Sequence, residues 1–287
     1  MWEQIARHIS QVSGDSFQVT EQRSIGGGCI NQGYALSDGR QTYFVKLNQA
    51  VQVAMFEAEA AGLQQMAATR TIRVPQPICW GVADKSAYLV LEWIDLGRGN
   101  GQSWQAMGQQ LAALHRATSG SGFGWERPNT IGSTPQVNPW TTSWVEFWAE
   151  HRIGYQLRLG KRRGGSFPAG DRLLAAIPQL LADHKPQPAL VHGDLWSGNA
   201  AISRVGEPII FDPATYYGDR EVDLAMTELF GGFPAEFYQG YNQAFPLEGG
   251  YKRRKTLYNL YHILNHFNLF GGSYEAQANR MIEQLLA

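Results

Sequence analysis

The most informative segment of this chain is residues 190–199, which read Leu190-Val191-His192-Gly193-Asp194-Leu195-Trp196-Ser197-Gly198-Asn199. A carboxylate and an amide that lie five residues apart in a loop can divide one task between them. Asp194 can accept the proton of an attacking hydroxyl, while the side-chain carbonyl oxygen of Asn199 can bind Mg²⁺. Either residue alone would more often be an ordinary turn or helix-cap residue.

A second carboxylate follows this stretch at the end of an apolar run. Asp212 comes thirteen residues after Asn199 and directly after Ile209-Ile210-Phe211. It can hold the same metal ion against phosphate groups, although an Asp before Pro213 also fits a plain turn. Phosphoryl transfer depends mainly on positioning and charge neutralisation, so a base and two metal ligands are sufficient for it. The ordered combination therefore predicts a phosphotransferase site.

The overall composition limits the number of domains and the classes of binding partner that are possible. The chain has 287 residues, 44% of them apolar, which allows one large domain or two sub-domains. The formal charge of −1 argues against nucleic acid or an anionic membrane surface as a partner. No run of about 18 apolar residues is present, and residues 1–12 predict an amphipathic helix and not a signal peptide. We therefore expect a cytoplasmic protein.

The order of predicted elements indicates two lobes. Strands are expected at residues 17–24, 31–37, 41–47, 78–82 and 87–93, with a helix at 49–69. Asp38-Gly39 predicts a hairpin with a type I′ turn. After a glycine-rich hinge at 97–101 we expect a long loop at 120–138, short strands at 189–192, 200–203 and 208–211, and helices at 104–114, 142–158, 171–182, 221–230, 235–244, 250–270 and 274–286. The predicted fold class is α+β and bilobal, with a small N-lobe at 1–94 that holds a five-stranded sheet and a larger, mainly helical C-lobe at 95–287.

These motifs resemble a known group of enzymes. His192-Gly193-Asp194 followed by Asn199 is similar to the catalytic loop of the protein-kinase-like fold in its small-molecule branch, which includes aminoglycoside and choline kinases. The full string at 192–199 is narrower and resembles the fructosamine-3-kinase (ketosamine kinase) family. The strings at 211–221, 229–233 and 264–268 resemble the same family, and the resemblance extends over nearly the whole chain, from near Gly26 to Gly271.

The resemblance implies an ATP site in the N-lobe. Lys46, on the third predicted strand, would contact the α- and β-phosphates, although a strand lysine taken alone usually faces water. Its expected partner is Glu59, because the run from Glu59 to Leu63 is similar to the Glu-x-x-x-Leu pattern of the family, and Glu57 is the alternative. Three residues at the end of the last N-lobe strand are expected to bind the adenine edge through their backbone: Glu92, Trp93 and Ile94.

A glycine-rich loop between the first two predicted strands is the expected phosphate loop. Glycines there let backbone amides approach phosphates closely, and the candidates are Gly26, Gly27 and Gly28. The protein-kinase pattern Gly-x-Gly-x-x-Gly is not met, because Asn31 stands at the place of its last glycine. Gly28-Cys29-Ile30 is similar to the ketosamine kinase loop instead.

For the C-lobe the resemblance implies loop supports and a substrate pocket. Asp223 and His192 are expected to brace the catalytic loop. The candidates for contact with a sugar are an aromatic platform and polar groups of the last long helix: Trp196, Asn265, His266 and Asn268. His266 taken alone is more often an ordinary packed histidine. Asp219 or Glu221 is a candidate partner for a substrate ammonium group.

The expected function is that of an ATP- and Mg²⁺-dependent ketosamine kinase. The resemblance implies phosphorylation at O3 of a fructosamine or ribulosamine, free or protein-bound, which makes the sugar leave and so repairs glycated amines. One alternative is another small-molecule kinase of this fold, acting on an aminoglycoside, choline or a free sugar; Trp196 and the string at 216–221 argue against it. The other alternative is a ligand-binding pseudokinase, against which the intact set of Lys46, Asp194, Asn199 and Asp212 argues.

The two cysteines are too few for a disulfide framework or a zinc site, but one of them is a redox candidate. Cys29 lies among glycines in a loop that is expected to open and close over ATP, whereas Cys79 in a predicted strand is expected to be buried and inert. One hypothesis is that oxidation links Cys29 of two chains into a homodimer and changes activity. The alternative is an unreactive small residue in a tight turn of a monomer.

Overall fold

The N-terminal part of the chain folds into a five-stranded antiparallel sheet with the strand order β1-β2-β3-β5-β4. Its strands are β1 (Glu21–Ile25), β2 (Gln32–Ser37), β3 (Thr42–Gln49), β4 (Pro77–Ala83) and β5 (Ser86–Glu92). The structure, a computed structural model, describes residues 1–26 and 30–287. The phosphate-loop prediction for Gly27 and Gly28 and the redox prediction for Cys29 therefore fall outside the described residues.

Two helices cover the two faces of this sheet. Because side chains alternate along a strand, Val90 of β5 lies in the cluster formed with α1 (Trp2–Ser13), while Leu89 and Leu91 lie in the cluster formed with α2 (Val53–Ala68). Burial on both faces fixes the register of the central strands β3 and β5. Cys79 of β4 is only 3% exposed, which confirms that it is buried.

The hairpin between β2 and β3 is confirmed, but its predicted turn type is wrong. Residues 38–41 connect the strands, and Gly39 has a φ of 87° while Asp38 does not have a positive φ. The Asp38 carboxylate instead accepts hydrogen bonds from the backbone N–H groups of Arg40 at 2.8 Å and Gln41 at 2.7 Å. These contacts favour a longer loop over a two-residue type I′ turn.

The rest of the chain is mainly helical. The helices are α3 (Gly101–Leu114), α4 (Trp144–Trp148), α5 (Tyr155–Arg162), α6 (Gly170–Leu180), α7 (Glu221–Leu229), α8 (Ala235–Ala244), α9 (Tyr251–Phe270) and α10 (Tyr274–Leu286). The helix predicted at 142–158 is α4 continued through a π-helical turn at Ala149–Gly154 into α5. Among the described residues, no helix is both long and apolar enough to cross a membrane.

Six short strands form three antiparallel pairs among these helices. They are β6 (Asn129–Ile131), β7 (Thr134–Gln136), β8 (Ala189–Val191), β9 (Ala200–Ile202), β10 (Pro208–Ile210) and β11 (Tyr216–Gly218). The strands β8, β9 and β10 were expected. The prediction of one long loop at 120–138 is wrong, because β6 and β7 form a hairpin there, and β11 was not predicted. This arrangement confirms the α+β class, while the division between residues 94 and 95 stays a prediction.

Candidate active site

The catalytic loop begins directly after β8 and is held by one buried carboxylate. Asp223, at the start of α7, accepts hydrogen bonds from the backbone N–H groups of His192 at 2.7 Å and Gly193 at 2.8 Å. It also accepts one from Nε2 of His115 at 3.0 Å. Burial acts to raise the pKa of Asp223, but the hydrogen bond and charge of His115 outweigh it, so that this pKa is lowered. An ionised Asp223 therefore fixes the first two residues of the loop.

The loop needs glycine and a neutral histidine at these two positions. Gly193 has a φ of 83°, and a Cβ atom there would lie 2.2 Å from the carbonyl oxygen of Ala214. Nε2 of His192 donates to the carbonyl oxygen of Phe211 at 2.9 Å, and its Nδ1 accepts the backbone N–H of Asp194 at 3.2 Å. Burial lowers the pKa of His192, which keeps the ring neutral and able to do both. The ring thus joins the catalytic loop to the segment that carries Asp212.

Asp194 has the environment that a general base requires. Burial, together with the charges of Asp212 and Asp223, raises the pKa of Asp194 to about 7. Its side chain is still 23% exposed, so a substrate can reach it. The amide of Asn199 donates to the backbone carbonyl oxygen of Asp194 at 2.9 Å and fixes the loop around the carboxylate. A base with a pKa close to neutral pH combines the ionised state with a useful affinity for a proton.

Asn199 and Asp212 offer oxygen atoms at the same place. The β9–β10 hairpin lies between them and returns the chain, so that the N–H of Phe211 bonds to the carbonyl oxygen of Asn199 at 3.0 Å. Because the Asn199 amide nitrogen is used within the loop, its side-chain oxygen is left for a ligand. Asp212 has a φ of 58°, a left-handed conformation that is rare for residues other than glycine. This donor set of carboxylate and amide oxygens fits Mg²⁺.

Lys46 contacts two carboxylates. Its ammonium group lies 2.6 Å from Oε1 of Glu59 on α2 and also contacts Oδ1 of Asp212. Burial acts to lower the pKa of Lys46, but the charges of Asp212 and Glu59 outweigh it and raise this pKa. Glu57, the alternative partner, is exposed. The structure therefore places Glu59, and not Glu57, beside the lysine.

A cleft of about 930 Å³ joins these groups, and most of the predicted site residues line it. The predicted residues on its wall are Gly26, Lys46, Glu59, Glu92, Trp93, Ile94, Asp194, Trp196, Asn199, Asp212, Asn265 and His266. The carboxylate of Glu92 contacts Arg73 and accepts the N–H of Gln76. The backbone N–H of Glu92 donates to the carbonyl oxygen of Gln76 at 2.8 Å as well, so the backbone that can meet a nucleotide is the remainder of residues 92–94 beyond this N–H group. His192 and Asp223 do not line the cleft and lie behind the loop.

An aromatic surface forms one end of the cleft. Trp196 is 38% exposed, and its ring meets the ring of Phe230 edge-on with centroids 6.4 Å apart. Phe230 in turn lies 4.9 Å from the ring of His266, whose Nδ1 donates to the carbonyl oxygen of His262 at 2.8 Å. These rings provide a face for a sugar and leave Nε2 of His266 as an acceptor.

Two of the polar side chains that were predicted to contact the substrate, Asn265 and Asn268, already bind other groups of the protein. The amide of Asn265 accepts from Gln156 at 3.3 Å and donates to the carbonyl oxygen of Ile131 at 3.4 Å, so both of its polar ends have protein partners. The amide nitrogen of Asn268 donates to the side-chain oxygen of Gln156, and Asn268 does not line the cleft. The prediction that Asn268 contacts the sugar is therefore wrong.

The predicted ammonium contact of Asp219 or Glu221 is also wrong. Both residues are 1% exposed and lie outside the cleft. Asp219 accepts from Tyr258 at 2.5 Å and contacts His184 at 2.6 Å, while the two oxygens of Glu221 accept from Arg254 at 2.7 and 2.8 Å. These carboxylates form a buried network that supports α7 and α9.

Sequence reasoning missed three residues around the site. His115 and Arg73 contact Asp223 and Glu92 from distant parts of the chain, and no local pattern marks them. His262 lies with its Nδ1 3.9 Å from Oδ1 of Asp194. Its spacing of four residues before His266 on one helix was a signal that could have been used.

Comparisons with known proteins show the family of this chain. The fructosamine kinase family matches residues 1–287. A relative named "Probable ketoamine kinase" from Synechocystis sp. is 64% identical over 285 residues, which is 99% of this chain and 97% of the relative. The protein named "Protein-ribulosamine 3-kinase, chloroplastic" from Arabidopsis thaliana is 43% identical over 95% of this chain and 85% of its own length.

Solved structures of similar proteins have the same fold as this chain. The crystal structure of the protein named "Putative fructosamine-3-kinase" from Haemophilus somnus superposes with a TM-score of 0.94 at 33% identity and covers 100% of this chain and 98% of its own. At 17% identity, an aminoglycoside phosphotransferase solved with AMP-PNP and hygromycin B reaches a TM-score of 0.62 over 98% of this chain and 97% of its own, which shows the kinase-like fold alone. The chain belongs to the fructosamine kinase family.

Proposed function

We propose that this protein transfers the γ-phosphate of ATP to the O3 hydroxyl of a ketosamine, a fructosamine or a ribulosamine, and so acts in deglycation. The observation that carries the proposal is the cleft in which Lys46, Asp194, Asn199 and Asp212 meet, in a chain that belongs to the fructosamine kinase family. The kinase-like fold neighbour with bound AMP-PNP supports ATP as the phosphate donor. A cytoplasmic location stays a prediction.

Asp194 would accept the proton of the attacking hydroxyl. Its pKa of about 7, raised by burial and by the charges of Asp212 and Asp223, leaves a large ionised fraction at neutral pH. The carboxylate keeps its position because Asp223 and His192 hold the backbone of the loop on either side of Gly193. The orientation of the base is therefore set before a substrate enters.

Asn199 and Asp212 would hold Mg²⁺ through their side-chain oxygens. When bound, Mg²⁺ supplies neutralisation of the charge on the phosphate oxygens. Lys46 would bind phosphate oxygens from the N-lobe side, and its contact with Glu59 keeps its ammonium group directed into the cleft. The backbone of residues 92–94 would meet the adenine at the opposite end, and Trp196 would provide the face for the sugar.

The experiment is an ATP-consumption assay with purified protein, Mg²⁺ and a panel of acceptors. We expect turnover with a fructosamine or a ribulosamine, and ³¹P NMR of the product should place the phosphate on C3. An aminoglycoside, choline and free fructose serve as the alternative acceptors. Turnover with one of these and none with any ketosamine would contradict the proposal, and ketosamine binding without turnover would indicate a pseudokinase.

The proposed Cys29-linked dimer is a separate hypothesis, tested by non-reducing electrophoresis with Cys29→Ser as the control.

A further inference from the structure

Beside the catalytic loop, the side chain of His262 has polar atoms that the fold does not use. His262 lies on α9 and is 3% exposed. It is not itself a lining residue of the cleft, but its Nδ1 lies 3.9 Å from Oδ1 of Asp194, which does line the cleft. Its carbonyl oxygen accepts a hydrogen bond from His266, but within residues 1–26 and 30–287 neither of its ring nitrogens has a hydrogen-bond partner. Neither ring nitrogen belongs to the fully buried side-chain atoms that lack a partner in the described part of the chain, so both keep some access for a ligand atom. An unpaired imidazole beside the catalytic carboxylate therefore points to an atom of a ligand.

The other buried histidines show that this arrangement is unusual in the described part of the chain. Each of them has at least one ring nitrogen in a hydrogen bond with the protein: His115 with Asp223, His184 with Asp219, and His192 with the carbonyl oxygen of Phe211. Those contacts give these three rings a structural role. No such contact accounts for the ring of His262.

The protonation state of His262 suits a hydrogen bond to a hydroxyl. Burial and the neighbouring His266 lower the pKa of His262 to about 3, so the ring is neutral at physiological pH. A neutral imidazole carries one N–H donor and one acceptor nitrogen. The carboxylate of Asp194 lies on the Nδ1 side and favours the tautomer with the proton on Nδ1. His262 therefore presents an N–H donor next to the catalytic base.

The separation of the two groups matches a single bridging oxygen. An oxygen atom at about 2.8 Å from each of them fits between atoms that are 3.9 Å apart. We propose that Nδ1 of His262 and Oδ1 of Asp194 together bind the attacking hydroxyl of the substrate, which makes His262 a catalytic residue in contact with the reacting atom. This inference rests on the proposed function of the cleft.

The two contacts would orient the hydroxyl for attack. Its proton points to Asp194 and one lone pair accepts the N–H of His262, so the remaining lone pair has a fixed direction. That lone pair forms the bond to the γ-phosphorus, the bond from this phosphorus to the departing ADP breaks, and the hydroxyl proton passes to Asp194. His262 keeps its own proton throughout the step.

Three variants separate a contact through Nδ1 from simple packing. The amide nitrogen of an asparagine can take the place of Nδ1, whereas the amide of a glutamine corresponds to Nε2 and reaches further. His262→Asn should therefore retain the contact, while His262→Gln and the apolar His262→Leu should lose it. Tyr261→Phe is the matched control on α9, because the hydroxyl of Tyr261 donates to Gln136 at 2.7 Å and not to the catalytic loop.

The test measures ketosamine binding in the presence of ADP and Mg²⁺, so that no turnover occurs. The dissociation constants of a ketosamine and of its 3-deoxy analogue are compared in wild type and in each variant. Loss of the hydroxyl should weaken binding in wild type, in Tyr261→Phe and in His262→Asn. In His262→Gln and His262→Leu this penalty should be smaller by roughly three- to ten-fold, the value of one hydrogen bond. ADP affinity and melting temperature show whether each variant is folded.

An equal 3-deoxy penalty in wild type and in His262→Leu would overturn the proposal. If His262→Leu does not fold, equal penalties in His262→Asn and His262→Gln would overturn it just as clearly. If the penalties are equal in either comparison but the wild-type protein phosphorylates a ketosamine, the proposed role of His262 is wrong and the proposed function still holds. Wild-type protein that binds no ketosamine would overturn both.

Discussion

The carboxylate of Asp223 provides a test of how the catalytic loop is held. This fully buried side chain accepts three hydrogen bonds, from the backbone N–H groups of His192 and Gly193 at 2.7 and 2.8 Å and from Nε2 of His115 at 3.0 Å. Asp223→Asn keeps the size of the side chain but replaces one acceptor oxygen with an NH₂ group. We predict that this variant loses both stability and turnover.

The magnitude follows from the contacts that are lost. An asparagine can accept through only one oxygen, so at least one N–H group of the loop or of His115 faces another donor. Loss of one hydrogen bond to a charged group costs about 1.5–3 kcal/mol, and the buried donor left without an acceptor adds about 1–3 kcal/mol. We therefore expect the free energy of unfolding to fall by roughly 3–5 kcal/mol. The turnover number should fall as well, because Asp194 follows the two residues that Asp223 holds.

The assay combines urea unfolding with steady-state kinetics. Asp171→Asn, at a side chain that is 85% exposed, is the matched control and should change the free energy of unfolding by less than about 0.5 kcal/mol. The folded-state pKa of Asp223 is lowered, since the His115 contact outweighs burial, so its stabilisation is present above the unfolded pKa and is lost as the pH falls below about 4. A difference of less than about 1 kcal/mol between Asp223→Asn and wild type at neutral pH would refute this account of the loop.

Three further predictions test the sugar face, the metal site and the base. Trp196→Ala should raise KM for the ketosamine about ten-fold and leave KM for ATP nearly unchanged, because one stacking face is lost; equal increases in both KM values would indicate a damaged loop. Asp212→Ala should make ADP affinity nearly independent of Mg²⁺ in calorimetric titrations; a normal response to Mg²⁺ would remove Asp212 from the metal site. Because burial and the charges of Asp212 and Asp223 raise the pKa of Asp194 to about 7, kcat/KM for the ketosamine should fall as the pH drops below this value and the base becomes protonated. A profile that stays flat through this range would contradict the role of Asp194 as base.

That Asp194, Asn199 and Asp212 meet in one cleft could be predicted because they belong to one continuous supersecondary unit. Asn199 and Asp212 flank the β9–β10 hairpin, and a hairpin of this length must bring its two ends together. Asp194 precedes the same hairpin by a few residues. The distances between these side chains are therefore largely set by local chain geometry, which a sequence pattern records.

The hairpin of β6 and β7 could not be predicted because its stabilising contacts are remote. Asn129 donates to the carbonyl oxygen of Thr215 at 2.8 Å, and Gln136 donates to that of Ala214 at 3.1 Å. These partners lie about eighty residues further along the chain, and the hairpin itself contains no alternating apolar pattern. Residues 129–132 nevertheless line the cleft.

Asp219 and Glu221 show the opposite error, in which polar residues next to a motif were given a substrate role. Their partners come from two other places in the chain: His184 lies between α6 and β8, and Arg254 and Tyr258 lie on α9. A carboxylate that is buried against a cation and one that awaits a ligand look the same in a sequence. Only the fold separates the two cases.

The most direct test of the central claim is the rate of phosphate transfer by Asp194→Asn. The measurement follows the transfer of labelled γ-phosphate from ATP to a fructosamine in a single turnover, with nucleotide affinity determined in parallel. We predict a loss of at least about 10²-fold in the transfer rate, because proton acceptance by a positioned base contributes this much, and an ADP affinity close to that of wild type. A variant that transfers phosphate to the ketosamine at nearly the wild-type rate would contradict the claim that this cleft uses Asp194 to activate a ketosamine hydroxyl.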